Sequence, residues 1–160
     1  MKKRIIALGL LWCLFAVMLQ AARVDTVLVR SAAMNKDVKV VYVLPDKAIG
    51  KQACPVVYLL HGYGGNARSW VQLKPELPQM ADEKGIIFVC PDGKNSWYWD
   101  SPENPAYRYE TFVTSELVKY TDGNYATIPD RKARAISGLS MGGHGALWSA
   151  IRHKDVFEIG

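Results

Sequence analysis

The chain has 160 residues, 49% hydrophobic and 22% charged, which is the composition of a globular domain and excludes a disordered or fibrous class. Its formal charge is +5, but Lys2, Lys3 and Arg4 belong to an N-terminal leader that holds no acid. Without them 17 basic residues face 15 acidic ones, and no dense basic patch points to nucleic acid.

The leader occupies residues 1–22. Its positives precede an uncharged apolar core at 5–19, and Ala21 and Ala22 offer small residues to a peptidase. That core is short for a membrane span of about 20 residues, so the layout is that of a secretory signal peptide. The expected protein is secreted or periplasmic, with no stable membrane association after cleavage. Cys54 and Cys90 then remain, each bordering a strand, Cys54 at its start and Cys90 at its end. On neighbouring parallel strands they stand more than about 10 Å apart, so both are expected as free thiols.

Residues 24–31 and 37–44 read as strands, and the link at 32–36 suits an antiparallel hairpin. Residues 45–53 are polar and read as loop. Continuous apolar runs at 56–60 and 86–90, and a shorter one at 133–136, read as strands buried on both faces. Tyr109, Phe112, Val113, Leu117 and Tyr120 recur at the spacing of one helix face. That helix is expected to end near Asp122, with Gly123 in the left-handed conformation. A further helix is expected at 145–152. A hairpin followed by alternating strands and helices predicts an α/β fold, mostly parallel, with an N-terminal antiparallel hairpin.

Three of these strands run directly into glycine-rich loops, at 61–65, 91–93 and 137–143. Loops beyond the carboxyl ends of parallel strands form the ligand crevice of such a sheet. The last contains Gly138-Leu139-Ser140-Met141-Gly142, which fits G-x-S-x-G between a strand and a helix. In that motif the serine sits on a strained turn, and a side chain two residues to either side would collide with it. Ser140 is therefore the candidate nucleophile. An oxyanion at this nucleophile needs two backbone N–H groups, and Met141 and Tyr63 are the candidates.

No histidine of the three reads as the general base. His61 belongs to the oxyanion loop and braces it, His144 follows Ser140 by one helical turn and faces away, and His153 ends that helix. Triad order in this chemistry is serine, then acid, then histidine. Asp155 and Glu158 lie too close to the nucleophile helix to supply the acid. The acid and histidine are expected beyond residue 160, so residues 23–160 read as an incomplete domain, inactive alone and with an open apolar sheet edge. The aromatics Trp97 and Tyr98 either line a substrate pocket or pack in the core. No metal-ligand cluster or P-loop is present, and the chemistry needs no cofactor.

Four blocks, PVVYLLHGYGGNARSW, FVCPDGKNSWYWDSP, YETFVTSEL and SGLSMGGHGAL, resemble the esterase D and tributyrin esterase-like family of α/β-hydrolases. The resemblance implies an α/β-hydrolase fold, Ser140 as nucleophile, and the Tyr63 and Met141 amides as oxyanion hole. With the signal peptide, it implies a secreted carboxylesterase acting on short-chain or carbohydrate-linked acyl esters. Two other activities in the family are S-formylglutathione hydrolysis and acyl transfer of the mycolyltransferase kind, the latter sharing a helix similar to YETFVTSEL.

Overall fold

The computed structural model describes residues 22–158. The leader expected at 1–22 lies outside the described residues except for Ala22.

Five strands form one sheet in the order β1-β2-β4-β3-β5. β1 (Arg23–Ser31) and β2 (Lys36–Leu44) make the expected antiparallel hairpin, in register from Arg23 opposite Leu44 to Ser31 opposite Lys36. β2 runs antiparallel to β4 (Ile87–Pro91). β3 (Val56–Leu60) lies parallel to β4 on one side and to β5 (Arg134–Gly138) on the other. Only β2 therefore opposes the common direction. The expected third buried strand is displaced: residues 131–133 form a 3-10 turn, and the strand extends through Gly138.

The central strands β2, β3 and β4 are largely buried on both faces, and their period-two alternation sorts side chains between two cores. β5, expected as a strand buried on both faces, alternates in exposure because it is an outer strand of the described sheet. Val38, Val40, Tyr42, Tyr58, Leu60 and Val89 face one cluster. Val41, Val43, Leu59, Phe88 and Cys90 face the other. The second face is covered by α2 (Ser69–Leu73) and α3 (Leu77–Lys84). The first is covered by the segment from Tyr109 onward and by α6 (Met141–Arg152).

Two local expectations need correction. Residues 45–53 are not all loop, because Asp46–Ile49 form a short helix, α1. The Pro45 carbonyl accepts from the amides of Ala48 and Ile49, and one turn is too short to show periodicity. The helix expected from Tyr109 is composite: α4 (Tyr109–Thr111), a π-helical segment (Phe112–Glu116) and α5 (Leu117–Asn124). The wider π turn brings Phe112, Val113 and Thr114 all into buried positions. Gly123 does not end this helix in the left-handed region. It lies inside α5, which stops at Asn124 with Tyr125 extended.

Cys54 and Cys90 are both buried and free, and burial pushes the Cys90 thiol up to about 12. β5 is the outer strand of the described sheet, with alternating exposure, and Leu147 and Ile151 on the adjoining α6 stay exposed.

Gly123 has open space around it, so Gly123→Ala adds no clash and removes a helix-interior glycine. The substitution is expected to raise stability by about 0.5–1 kcal/mol, read as a higher urea midpoint at unchanged slope.

Candidate active site

Three strand ends, those of β3, β4 and β5, bring their loops to one edge of the sheet. At the third, Ser140 has φ 54° and ψ −115°, a left-handed conformation that costs a non-glycine residue about 1–3 kcal/mol. The turn is held by hydrogen bonds from Leu139 N–H to Leu60 O at 3.2 Å and from Gly142 N–H to Leu139 O at 2.8 Å. A Cβ on Gly138 would lie 2.2 Å from the Gly142 carbonyl carbon, and one on Gly142 would lie 2.1 Å from Leu60 O. Both contacts are with backbone. The flanking glycines are thus required by close approach, and Ser140 is left exposed at the start of α6.

The β3 loop folds against this turn, since a Cβ on Gly62 would stand 3.7 Å from that of Ser140. The Met141 N–H is at the first helical position and has no intrahelical acceptor. Among the described residues neither it nor the Tyr63 N–H is matched with a hydrogen-bond acceptor. The neighbouring donor is not free: Gly64 N–H is taken by Asn95 Oδ1 at 2.8 Å. Two unpaired amides beside the turn are suited to an oxyanion.

His61 is 2% exposed and is fully engaged. Its Nε2 accepts from Gly93 N–H at 2.9 Å, which leaves the proton on Nδ1, and Nδ1–H donates to Gly62 O at 2.7 Å. Asp92 Oδ1 is 3.7 Å from Nε2, a contact rather than a hydrogen bond. The ring therefore ties the β3 loop to the β4 loop. His144 Nδ1 donates to Trp97 O at 3.1 Å, and His153 Nε2 donates to Glu110 Oε1 at 2.8 Å. All three histidines are committed away from Ser140.

Trp97 and Tyr98, paired in the sequence reading, are separated by the structure. Tyr98 does not line a pocket. Its ring is fully buried in a slot left by Gly93 and Gly145, where a Cβ would meet it at 2.2 and 2.6 Å. Its hydroxyl accepts from His61 N–H at 2.9 Å and donates to His61 O at 3.3 Å. It is a strut under the β3 loop, and a surface-lined aromatic run gives no sign of which ring turns inward. Trp97 is exposed on the catalytic edge, with its ring 5.5 Å from that of His144.

Asp92, part of a loop noted only for its glycine, carries a charge the sequence reading did not assign. Its carboxylate accepts from Lys94 N–H at 3.0 Å and from the Lys94 ammonium at 2.8 Å. Burial by itself pushes the Asp92 carboxyl upward, but the His61 ring beside it, and then the hydrogen bonds and charge of Lys94, hold it well below the usual carboxylate range. Beside the elbow, an open groove of about 450 Å³ is lined by Gly62, Tyr63, Leu73 and Leu139 among others. Those last three side chains are large, apolar and exposed. Among the described residues no three His, Cys, Asp or Glu side chains converge as a metal-ligand set.

The sequence profile of the family described as "Putative esterase" matches residues 31–159. The chain belongs to this esterase family. It is 28% identical over 135 residues to an acetyl esterase of Caldicellulosiruptor saccharolyticus, covering 79% of this chain and 50% of that protein. Among solved structures, an S-formylglutathione hydrolase from Agrobacterium tumefaciens superposes with a TM-score of 0.76 at 28% identity, covering 86% of this chain and 56% of that one. A ferulic acid esterase superposes at 0.73 with 31% identity, covering 86% and 58%. The fold of the esterase chain is that of the α/β-hydrolase esterases, as the resemblance implied. It spans about half the length of the relatives it matches.

Two measurements follow from this geometry. Gly142→Ala forces a methyl into the Leu60 carbonyl and is expected to cost about 3 kcal/mol in urea unfolding, with Gly143→Ala, whose Cβ would stand 3.3 Å from its nearest atom, costing distinctly less. A carboxyl depressed by folding contributes stability above its unfolded value near about 4, and loses it as pH falls through the folded value. Asp92→Asn keeps the shape and removes that charge, so its unfolding midpoint should fall less between pH 5 and pH 3 than that of the parent.

Proposed function

We propose that the protein is a secreted serine carboxylesterase that cleaves acyl esters through a covalent intermediate on Ser140. The observation that carries this reading is the juxtaposition of an exposed, strained serine with the unpaired amides of Tyr63 and Met141. Ser140 Oγ attacks the ester carbonyl carbon while a histidine takes the hydroxyl proton. The carbonyl oxygen gains charge and is held by the two amides. The ester C–O bond then breaks, and the alcohol leaves with the proton from the histidine. Water, activated by the same histidine, attacks the acyl-enzyme and releases the acid and Ser140. Nucleophilic attack and proton transfer account for every step, so the reaction calls for no cofactor.

The histidine and its carboxylate partner are assigned to residues outside these 160, because His61, His144 and His153 are each held elsewhere. The half-length match to the relatives supports that assignment. Relatives named acetyl esterase and ferulic acid esterase support carboxylic acyl esters as the substrate class, and short-chain or carbohydrate-linked esters are the two kinds this reading takes. The leader at 1–22 supports export, and export separates this reading from a cytosolic thioesterase.

The test is to treat the complete gene product with a fluorophosphonate and map the adduct. Label on Ser140, lost in Ser140→Ala together with about 10⁵-fold or more of ester hydrolysis, is the expected result. A folded gene product that leaves Ser140 unlabelled overturns the reading.

A further inference from the structure

Six non-glycine residues among those described have positive φ, and three of them, Lys94, Trp97 and Tyr98, fall within seven positions after β4. Bulky side chains rarely adopt this conformation, and strain of this kind gathers where a site needs a fixed geometry. Tyr98 accounts for its share by turning inward to hold His61. Trp97 turns the other way. It is 46% exposed and belongs to neither core cluster, so packing does not explain why it is held.

It is nevertheless held at both main chain and side chain. The Trp97 carbonyl accepts from His144 Nδ1, and the two rings meet edge to face at 86°. The His144 ring stacks on Trp148 at 6.1 Å and 16°, and the Arg152 guanidinium lies over Trp148 at 4.8 Å. Residues 144, 148 and 152 fall at four-residue spacing and form one stripe along α6. The stripe is anchored by Glu110, buried beneath it. Glu110 Oε2 accepts from Trp148 Nε1–H, and Oε1 accepts from Arg152 Nε and His153 Nε2, each at 2.8 Å. At the other end His144 N–H donates to Ser140 O at 3.0 Å. Trp97 is thus fixed to the first turn of the nucleophile helix by a chain that starts at a buried carboxylate.

We propose that Trp97 is a substrate platform whose indole stacks on a flat ring of the ester, and that Glu110 is its positioning residue, acting through Trp148 and His144. The inference rests on the serine-esterase reading and names the part of the substrate that this edge recognises. An indole face takes the C–H face of a pyranose or the π face of a phenyl, and both present a flat apolar surface. A second indole two residues on, Trp99, is also exposed.

The experiment uses the complete gene product with Trp97→Ala, Trp97→Phe and Glu110→Gln, on three esters: methyl ferulate, acetylated xylotetraose and ringless methyl butyrate. The expected result is a fall of about tenfold in kcat/KM on one ring-bearing ester relative to methyl butyrate in Trp97→Ala. The loss should lie in KM, with Trp97→Phe restoring most of it. Glu110→Gln should move the same ratio in the same direction by about threefold. Loss on methyl ferulate identifies a phenyl occupant and loss on the acetylated oligosaccharide a pyranose. A ratio unchanged in Trp97→Ala on both ring-bearing esters overturns the platform. An equal fall on all three esters also overturns it, because it marks a structural role. If the parent hydrolyses none of the three, the serine-esterase reading fails instead. Titration of tryptophan fluorescence with ferulate and xylotetraose then still tests the platform: a saturable change lost in Trp97→Ala supports it, and no saturable change with either overturns it.

Discussion

The catalytic edge of this molecule depends on how closely the first turn of α6 can approach the carboxyl ends of β3 and β5. Backbone meets backbone there: positions 138 and 142 lie so near the Gly142 carbonyl and Leu60 O that neither has room for a Cβ. That approach forces the chain to reverse within a few residues and holds Ser140 at φ 54°. The strain is local, and the surrounding β-sheet is what sustains it. With β3 paired to β5 from Val56–Arg134 to Leu60–Gly138, the turn cannot relax without breaking ladder hydrogen bonds.

A second brace keeps the facing loop in place. His61 leaves the end of β3 and uses every polar atom it has on the structure: its amide and carbonyl on the Tyr98 hydroxyl, and its ring on Gly62 O and Gly93 N–H. Burial makes each of these bonds costly to lose, because no water replaces them. The result is a rigid β3 loop whose next amide, that of Tyr63, stays unpaired beside the serine. With both ring nitrogens engaged, His61 braces the loop and takes no part in proton transfer.

The two faces of the sheet contribute unequally to the site. The face covered by α2 and α3 is apolar and closes the groove beside the elbow through Leu73. The face covered by α4, α5 and α6 carries charge, with buried Glu110 gathering Trp148, Arg152 and His153 and half-buried Glu116 accepting from Ser31 Oγ at 2.5 Å and Ala33 N–H at 2.8 Å. The π segment begins two residues after the first of these carboxylates and ends at the second. One glutamate thus fixes the nucleophile helix and the other the β1–β2 turn, so a single composite helix joins opposite ends of the sheet.

Much of this architecture was legible in residue order. The run at 56–60 reads as a buried strand because five apolar residues in succession suit a strand covered on both faces, and β3 has those bounds. The G-x-S-x-G pattern was legible for a related reason, since only glycine tolerates that approach, and a steric requirement leaves its mark on residue type. The 3-10 turn before β5 and the short α1 were not legible, because one turn of helix has no period to detect. Nor was the inside or outside choice at 97 and 98: two aromatics in sequence carry the same hydrophobic signal, and only the slot made by Gly93 and Gly145, 52 positions apart, decides that Tyr98 turns in. The burial of Glu110 was equally hidden, since its three partners lie 38 to 43 residues away. Sequence by itself determined the N-terminal hairpin, the elbow and the loops that meet there, because those follow from local sterics and periodicity. Tertiary structure alone decided which side chains brace the site and which face the substrate, because that depends on contacts between segments far apart in the chain.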